Sequence, residues 1–239
     1  IGSTIHSNAG SYGGGVYLVY SSNLSMTDSV VHGNTASKSG GGVYASFSPL
    51  FNISSTLFLA NTAKTGSGGG AYVSVPMHLR IEDSTFQQNT ATGLIHSQGG
   101  GLALSNARTS LALINTSFEL NSVDSGATDI TQIADVFQAS GGGLHMVSVP
   151  TDACILSLLS FVSNSANGHG GGATLVDVAS PRDSSFLNLT SWTTRNNSAL
   201  IEGGGLALLG ETSVRMVGSS TLENNVVQST KALVGGWHG

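Results

Sequence analysis

Charge is what this sequence has least of. Only 9% of its 239 residues are Asp, Glu, Lys or Arg, far below the roughly quarter to a third of a usual soluble surface. The net charge of −5 is thinly spread and contains no basic run, which excludes nucleic acid and anionic membrane as obvious partners. A single cysteine, Cys154, rules out an intrachain disulfide; its place in the pattern below suits a small core hydrophobe. No apolar run is long enough for a transmembrane helix, and no signal peptide is visible. Helical periodicity is missing too, apart from a weakly helical piece at Ile130 to Phe137, so the regular part of the chain is not helical.

Glycine, by contrast, is abundant and positional. Triple glycines begin at Gly13, Gly40, Gly68, Gly99, Gly141, Gly170 and Gly203, and Gly235-Gly236 opens one more. The steps between them are 27, 28, 31, 42, 29, 33 and 32 residues. A large apolar residue followed three later by Asn keeps time with them: Ile5/Asn8, Val31/Asn34, Phe58/Asn61, Phe86/Asn89, Phe118/Asn121, Phe161/Asn164 and Leu222/Asn225, with Trp192/Asn196 carrying one extra residue. A fixed period of this size is the mark of a repeat architecture. The repeat runs the whole length, so residues 1–239 are read as one solenoid domain. Because Ile1 falls in mid-repeat, the chain is expected to be a segment of a longer rod or a subunit that stacks on others.

Within each repeat, the first and third residues after the glycines are apolar (Ala71 and Val73, for example) and the one between varies. This period of two is that of a strand with one buried face. A second apolar pair follows, such as Phe51/Ile53 or Leu111/Leu113, and then a short third strand built on the Phe. Short strands repeated at this interval satisfy their backbones by pairing in parallel with their counterparts one coil on. The expected fold is therefore all-β, a right-handed, three-faced parallel β-helix of about seven to eight coils. Asn8, Asn34, Asn61, Asn89, Asn121, Asn164, Asn196 and Asn225 are expected to stack as an internal ladder at a sharp bend that tolerates a left-handed backbone. The largest insertion is 122–140, with smaller ones at 92–98, 149–153 and 179–185, where a β-helix would carry binding surfaces.

The Gly-Gly-Gly-apolar and Phe-x-x-Asn units resemble the repeats of the chlamydial polymorphic membrane proteins and, more broadly, pectin-lyase-like right-handed β-helices. That resemblance implies a surface adhesin or a carbohydrate-active protein. The third glycine stands where that family usually has Ala, and no autotransporter barrel follows.

Candidate sites are few. Asn-x-Ser/Thr sequons occur at Asn23, Asn52, Asn115, Asn188 and Asn196; the first four are expected to face outward and to be N-glycosylation candidates, whereas Asn196, as a ladder member, should be too buried. Tyr17, Tyr44 and Tyr72 should form an outward stack that either holds a sugar or merely stabilises the sheet. Glu82 and Asp83 would point apart on a strand and converge only at the bend, Asp124, Asp129 and Asp135 lack calcium-loop spacing, and Asp177, Arg182 and Asp183 near another corner are either a site or a solvated loop. His145 and His169 are expected to be structural or exposed, and the seven histidines show no metal-ligand spacing. No catalytic residue, cofactor or metal is therefore assigned. The sequence points to an extracellular or cell-surface structural protein, of an appendage, fibril or adhesin. Its expected partners are copies of itself or an adjoining β-helix segment, and glycans; the alternative is a carbohydrate-binding or polysaccharide-cleaving β-helix.

Overall fold

The structure, a computed structural model, describes residues 1–20, 22–93, 97–125, 139–149, 153–178 and 186–228. Among them every regular element is a strand, and every strand pairing is parallel and joins one coil to the next. The chain is a parallel β-solenoid of about seven turns. One coil serves for all: a first strand Ala71–Ser74, a second His78–Glu82, a third Thr85–Gln87 and a fourth Thr90–Thr92. First and second strands each build a seven-stranded sheet, third and fourth strands an eight-stranded one.

The fourth strand is a correction, since the residues after the Asn read as a turn. They are short, as in Thr35–Ala36 and Thr62–Ala63, too short to show alternation. Stacking supplies what length does not: each segment finds its equivalent one coil away (Thr62 opposite Thr35 and Thr90), so even two residues between bends make a ladder. Their inward Ala63, Ala91, Val123 and Ala166 form a small core of their own. The main core is the stack of inward residues from the other three sheets, all but sealed from water. Phe58, Phe86, Phe118, Phe161 and Trp192 pile ring on ring at centroid spacings of 4.5, 5.2, 4.9 and 4.7 Å.

The glycine triplet has three separate causes. Gly68 has φ +70°, a left-handed turn into the first strand. A Cβ on Gly69 would stand 2.4 Å from the Gly100 carbonyl oxygen, and one on Gly70 would meet Phe86 and Asn89 in the core. The bends between strands use the same left-handed region, with glycine at Gly33, Gly210 and Gly218 but with other residues in most coils. Val75, Asp83 and Gln88 close the three strands of one coil at φ 51°, 48° and 55°. A β-branched residue is poorly suited to this region, the more so before Pro76. Val75→Gly should therefore raise stability by about 0.5 kcal/mol, the relieved strain exceeding the entropy that glycine adds to the unfolded chain; the urea midpoint measures it.

The asparagine ladder is present, with two corrections. The left-handed residue is the one before each Asn (Ala60, Gln88, Leu120), not the Asn itself. The seventh rung is Asn197, and Asn196 is exposed at the left-handed position. Thr194, not Trp192, pairs with Phe161, which sets the three-residue spacing to Asn197. Each inner amide is fully used. Asn89 Oδ1 accepts from Asn61 N and Asn61 Nδ2, while Asn89 Nδ2 donates to Phe58 O and Asn121 Oδ1, at 2.9–3.0 Å.

Two residues before the inward apolar position of most coils runs a second row, of hydroxyls, which Leu159 and Trp192 interrupt. Ser29, Thr56, Ser84 and Thr116 are buried, and each donates back to the carbonyl two residues earlier, at 2.7–3.0 Å. Ser84 Oγ also accepts from Thr56 N one coil before. The repeat thus reads Ser/Thr-x-apolar-x-x-Asn, a signal present in the sequence. Trp192 fills the hydroxyl position and still reaches the Phe stack, which is why it resembles a member of that row.

Candidate functional site

The most organised exposed feature is built from tyrosine. Tyr17, Tyr44 and Tyr72 are each the second residue of a first strand and stand opposite one another in register. Being between two inward residues, they point out. Their rings stack at 5.4 and 5.1 Å, within 19° and 13° of parallel. Tyr12 adds a tilted ring 4.9 Å from Tyr44, and the Lys38 ammonium lies 4.9 Å from the Tyr12 centroid. Tyr20 stacks on Phe47 at the adjoining bend, 5.5 Å apart. Burial and the neighbouring Tyr72 raise the Tyr44 phenol above the usual range, so it stays a donor at neutral pH.

The same outward position changes character further along. Ala103, His145 and Thr174 continue the row in register, yet all are buried. His145 is thus a buried histidine, its Nδ1 3.0 Å from Ser140 Oγ. Burial pushes its pKa down to about 4. The folded state therefore holds His145 neutral where the unfolded chain would protonate. Stability should be intact above pH 6.5 and fall between about 6.5 and 4, by on the order of 3 kcal/mol from this group. Urea titrations across that range should show the loss, and His145→Gln should flatten it. His169 is lowered as well, chiefly by burial and against the pull of Glu202, 3.5 Å away.

The described carboxylates among the sequence candidates each have a hydrogen-bond partner. Glu82 accepts from Arg80 Nε at 3.0 Å, and Asp83 from Asn115 Nδ2 at 2.7 Å. Asp124 accepts from Asn167, and Asp177 from the Glu211 amide. Asp129, Asp135, Arg182, Asp183 and the weakly helical 130–137 lie outside the described residues. Among the described residues no His, Cys, Asp and Glu cluster could hold a metal ion, and no helix is long and apolar enough to cross a membrane. Cys154 packs against the core opposite Leu111, and burial pushes its thiol up to about 12, so it is a poor nucleophile at neutral pH. A cavity of about 340 Å³ lies on the outer face of the second-strand sheet, between Asn52, His78 and Arg80 on one side and Ala112 and Ile155 on the other.

The sequons divide by exposure. Asn23, Asn115 and Asn188 are exposed as expected, and so is Asn196, which the ladder does not bury. Asn52 is half-buried with its Oδ1 shielded from water. Expressed through a eukaryotic secretory route, the chain should carry glycan at Asn23, Asn188 and Asn196 in preference to Asn52. Peptide mass mapping before and after glycosidase would reveal the opposite order if this is wrong.

Compared with known proteins, the chain matches no family model, and no curated protein or solved structure shows significant similarity to it. The likeness of its repeat units to the polymorphic membrane proteins accordingly goes no further than the repeat pattern and the parallel solenoid.

Proposed function

We propose that this chain is an extracellular structural solenoid, a rod segment of a surface appendage, fibril or adhesin, which works by shape and continuation rather than by chemistry. The observation that carries this reading is the unbroken repetition of the described residues, which pair in parallel from coil to coil around one amide ladder in a sequence with only 9% charged residues. Leu222 and Met216 are 54% and 40% exposed, whereas Phe161 and Leu189, two coils and one coil earlier in the same inward rows, are sealed. Among the described residues, strands Leu206–Leu209, Val214–Val217, Thr221–Glu223 and Val226–Val227 are the last of their sheets and pair on one side only. Open edges over apolar rows invite further parallel pairing. A further coil of the same kind, in an adjoining segment or in a second copy, would satisfy both. Head-to-tail contacts between copies would generate filaments.

Sedimentation and electron microscopy of the purified chain test the self-stacking form. Association growing with concentration, and abolished by Leu222→Lys, is the expected result. Short monomers at every concentration would refute stacking between copies and leave the adjoining segment as the occupant.

A further inference from the structure

All five tyrosines of the chain fall between residues 12 and 72. In the fold they gather on the first three coils, along the first-strand sheet and the bend that follows it. Charge is divided in the same way. Residues 1–79 contain two lysines and one acid, Asp28, whereas residues 80–239 contain six basic residues and twelve acids. Both lysines, Lys38 and Lys64, occupy the segment that leads from a fourth strand into the glycines, and hence into a tyrosine strand. Asp28 sits after the second strand, one sheet away. The tyrosine face is therefore the net-positive part of a net-negative molecule.

The ring geometry decides what this face can hold. Tyr17, Tyr44 and Tyr72 lie nearly parallel, each covering its neighbour's face, so a sugar cannot lie flat on the middle ring. What points outward is ring edges and hydroxyls. The edge is the positive end of the aromatic quadrupole, and each phenol donates one hydrogen bond. A row of phenols at the coil interval, the middle one also hydrogen-bonded with Ser46, with the Lys38 ammonium over Tyr12 and Lys64 on the segment that leads into the Tyr72 strand, suits acceptors repeated along a straight, stiff, negatively charged chain. A stiff chain also loses less conformational freedom on docking than an acidic peptide would.

We propose that the tyrosine face of the first three coils is a binding strip for a linear acidic polysaccharide laid along the solenoid axis, with the phenols of Tyr17, Tyr44 and Tyr72 donating to it and Lys38 and Lys64 supplying charge. This goes beyond the structural reading and does not depend on stacking, which sedimentation reports separately. Titration against immobilised polyuronate, dextran and poly-glutamate tests it. Polyuronate should bind, more weakly as salt rises. Tyr17→Phe/Tyr44→Phe/Tyr72→Phe, which keeps the stack and removes the hydroxyls, should weaken it at least tenfold. Lys38→Ser/Lys64→Ser should weaken it several-fold. These substitutions are on the surface, and an unchanged urea midpoint confirms the fold. If the phenylalanine variant binds like the original, the strip is not the site. Equal binding of dextran removes the role of charge, and equal or tighter binding of poly-glutamate assigns the strip to acidic peptide instead. No polyanion binding at all ends the proposal.

Discussion

Asn89→Ala should cost most of the stability of the coils around it, on the order of 4–8 kcal/mol, and Asn8→Ala less than about 1 kcal/mol. The residue is the same; the difference is position in the ladder. Asn89 is fully buried and takes part in four side-chain hydrogen bonds, which reach Asn61, Phe58 and Asn121. Alanine would strand buried partners on both sides, each at about 1–3 kcal/mol. Against a total stability of about 5–15 kcal/mol for a domain, the variant should unfold at low denaturant or fail to accumulate. Asn8 lies exposed on the first coil and loses only its Nδ2 bond to Asn34. Asn89→Asp separates shape from hydrogen bonding. It keeps the accepting oxygen but turns a second oxygen toward Phe58 O and Asn121 Oδ1, acceptor against acceptors. Lowering the pH should partly rescue it, because a protonated carboxyl again donates. Matched denaturation midpoints for Asn89→Ala and Asn8→Ala would show that the ladder is decoration.

Gly69→Ala should be as damaging, by at least about 4 kcal/mol, and Gly66→Ala nearly silent. At Gly69 the added methyl would lie 2.4 Å from Gly100 O and 2.6 Å from the Thr90 backbone. All three obstacles are main chain, fixed by pairing on both sides, so the coils must part to admit the atom; overpacking of this kind reaches the upper end of single-substitution effects. At Gly66 the only close atom is Ser39 Oγ, which can rotate away, and the nearest backbone is 3.3 Å distant. Thermal unfolding of the two variants side by side checks the contrast. Gly70→Ala belongs with Gly69, since its methyl would press on Gly101 O and the Phe86 ring.

Much of this was legible before any coordinates. The spacing of Phe-x-x-Asn from the glycines placed seven of the eight ladder residues, and alternation placed Phe51, Ile53, Val73 and Leu113 inside, where they are sealed. Tyr17, Tyr44 and Tyr72 stack as the alternation required. Local ambiguity accounts for the failures. At Asn196-Asn197 two adjacent amides compete, and the only aromatic nearby, Trp192, sits in the hydroxyl row; polar Thr194 under Phe161 gives no apolar signal. The Ser/Thr-Ala pair that follows Asn34, Asn61, Asn89 and Asn164 recurs at Ser198-Ala199 and marks Asn197 as the rung. Two-residue strands such as Ser198–Ala199 are invisible to periodicity because their partners are coils away. His145 looked outward by alternation, and nothing local to it in the sequence reports its burial.

From rung to rung, the backbone N–H and one Nδ2–H of each Asn donate to the amide oxygen of the Asn one coil on, from Asn8 through to Asn225, while the other Nδ2–H of each inner rung turns back to a carbonyl of the coil before. No rung reverses. The molecule therefore has an arrow, and its aligned dipoles reinforce one another along it. A twofold joint would set donor against donor at one end, or acceptor against acceptor at the other. Whatever lengthens this solenoid must point the same way.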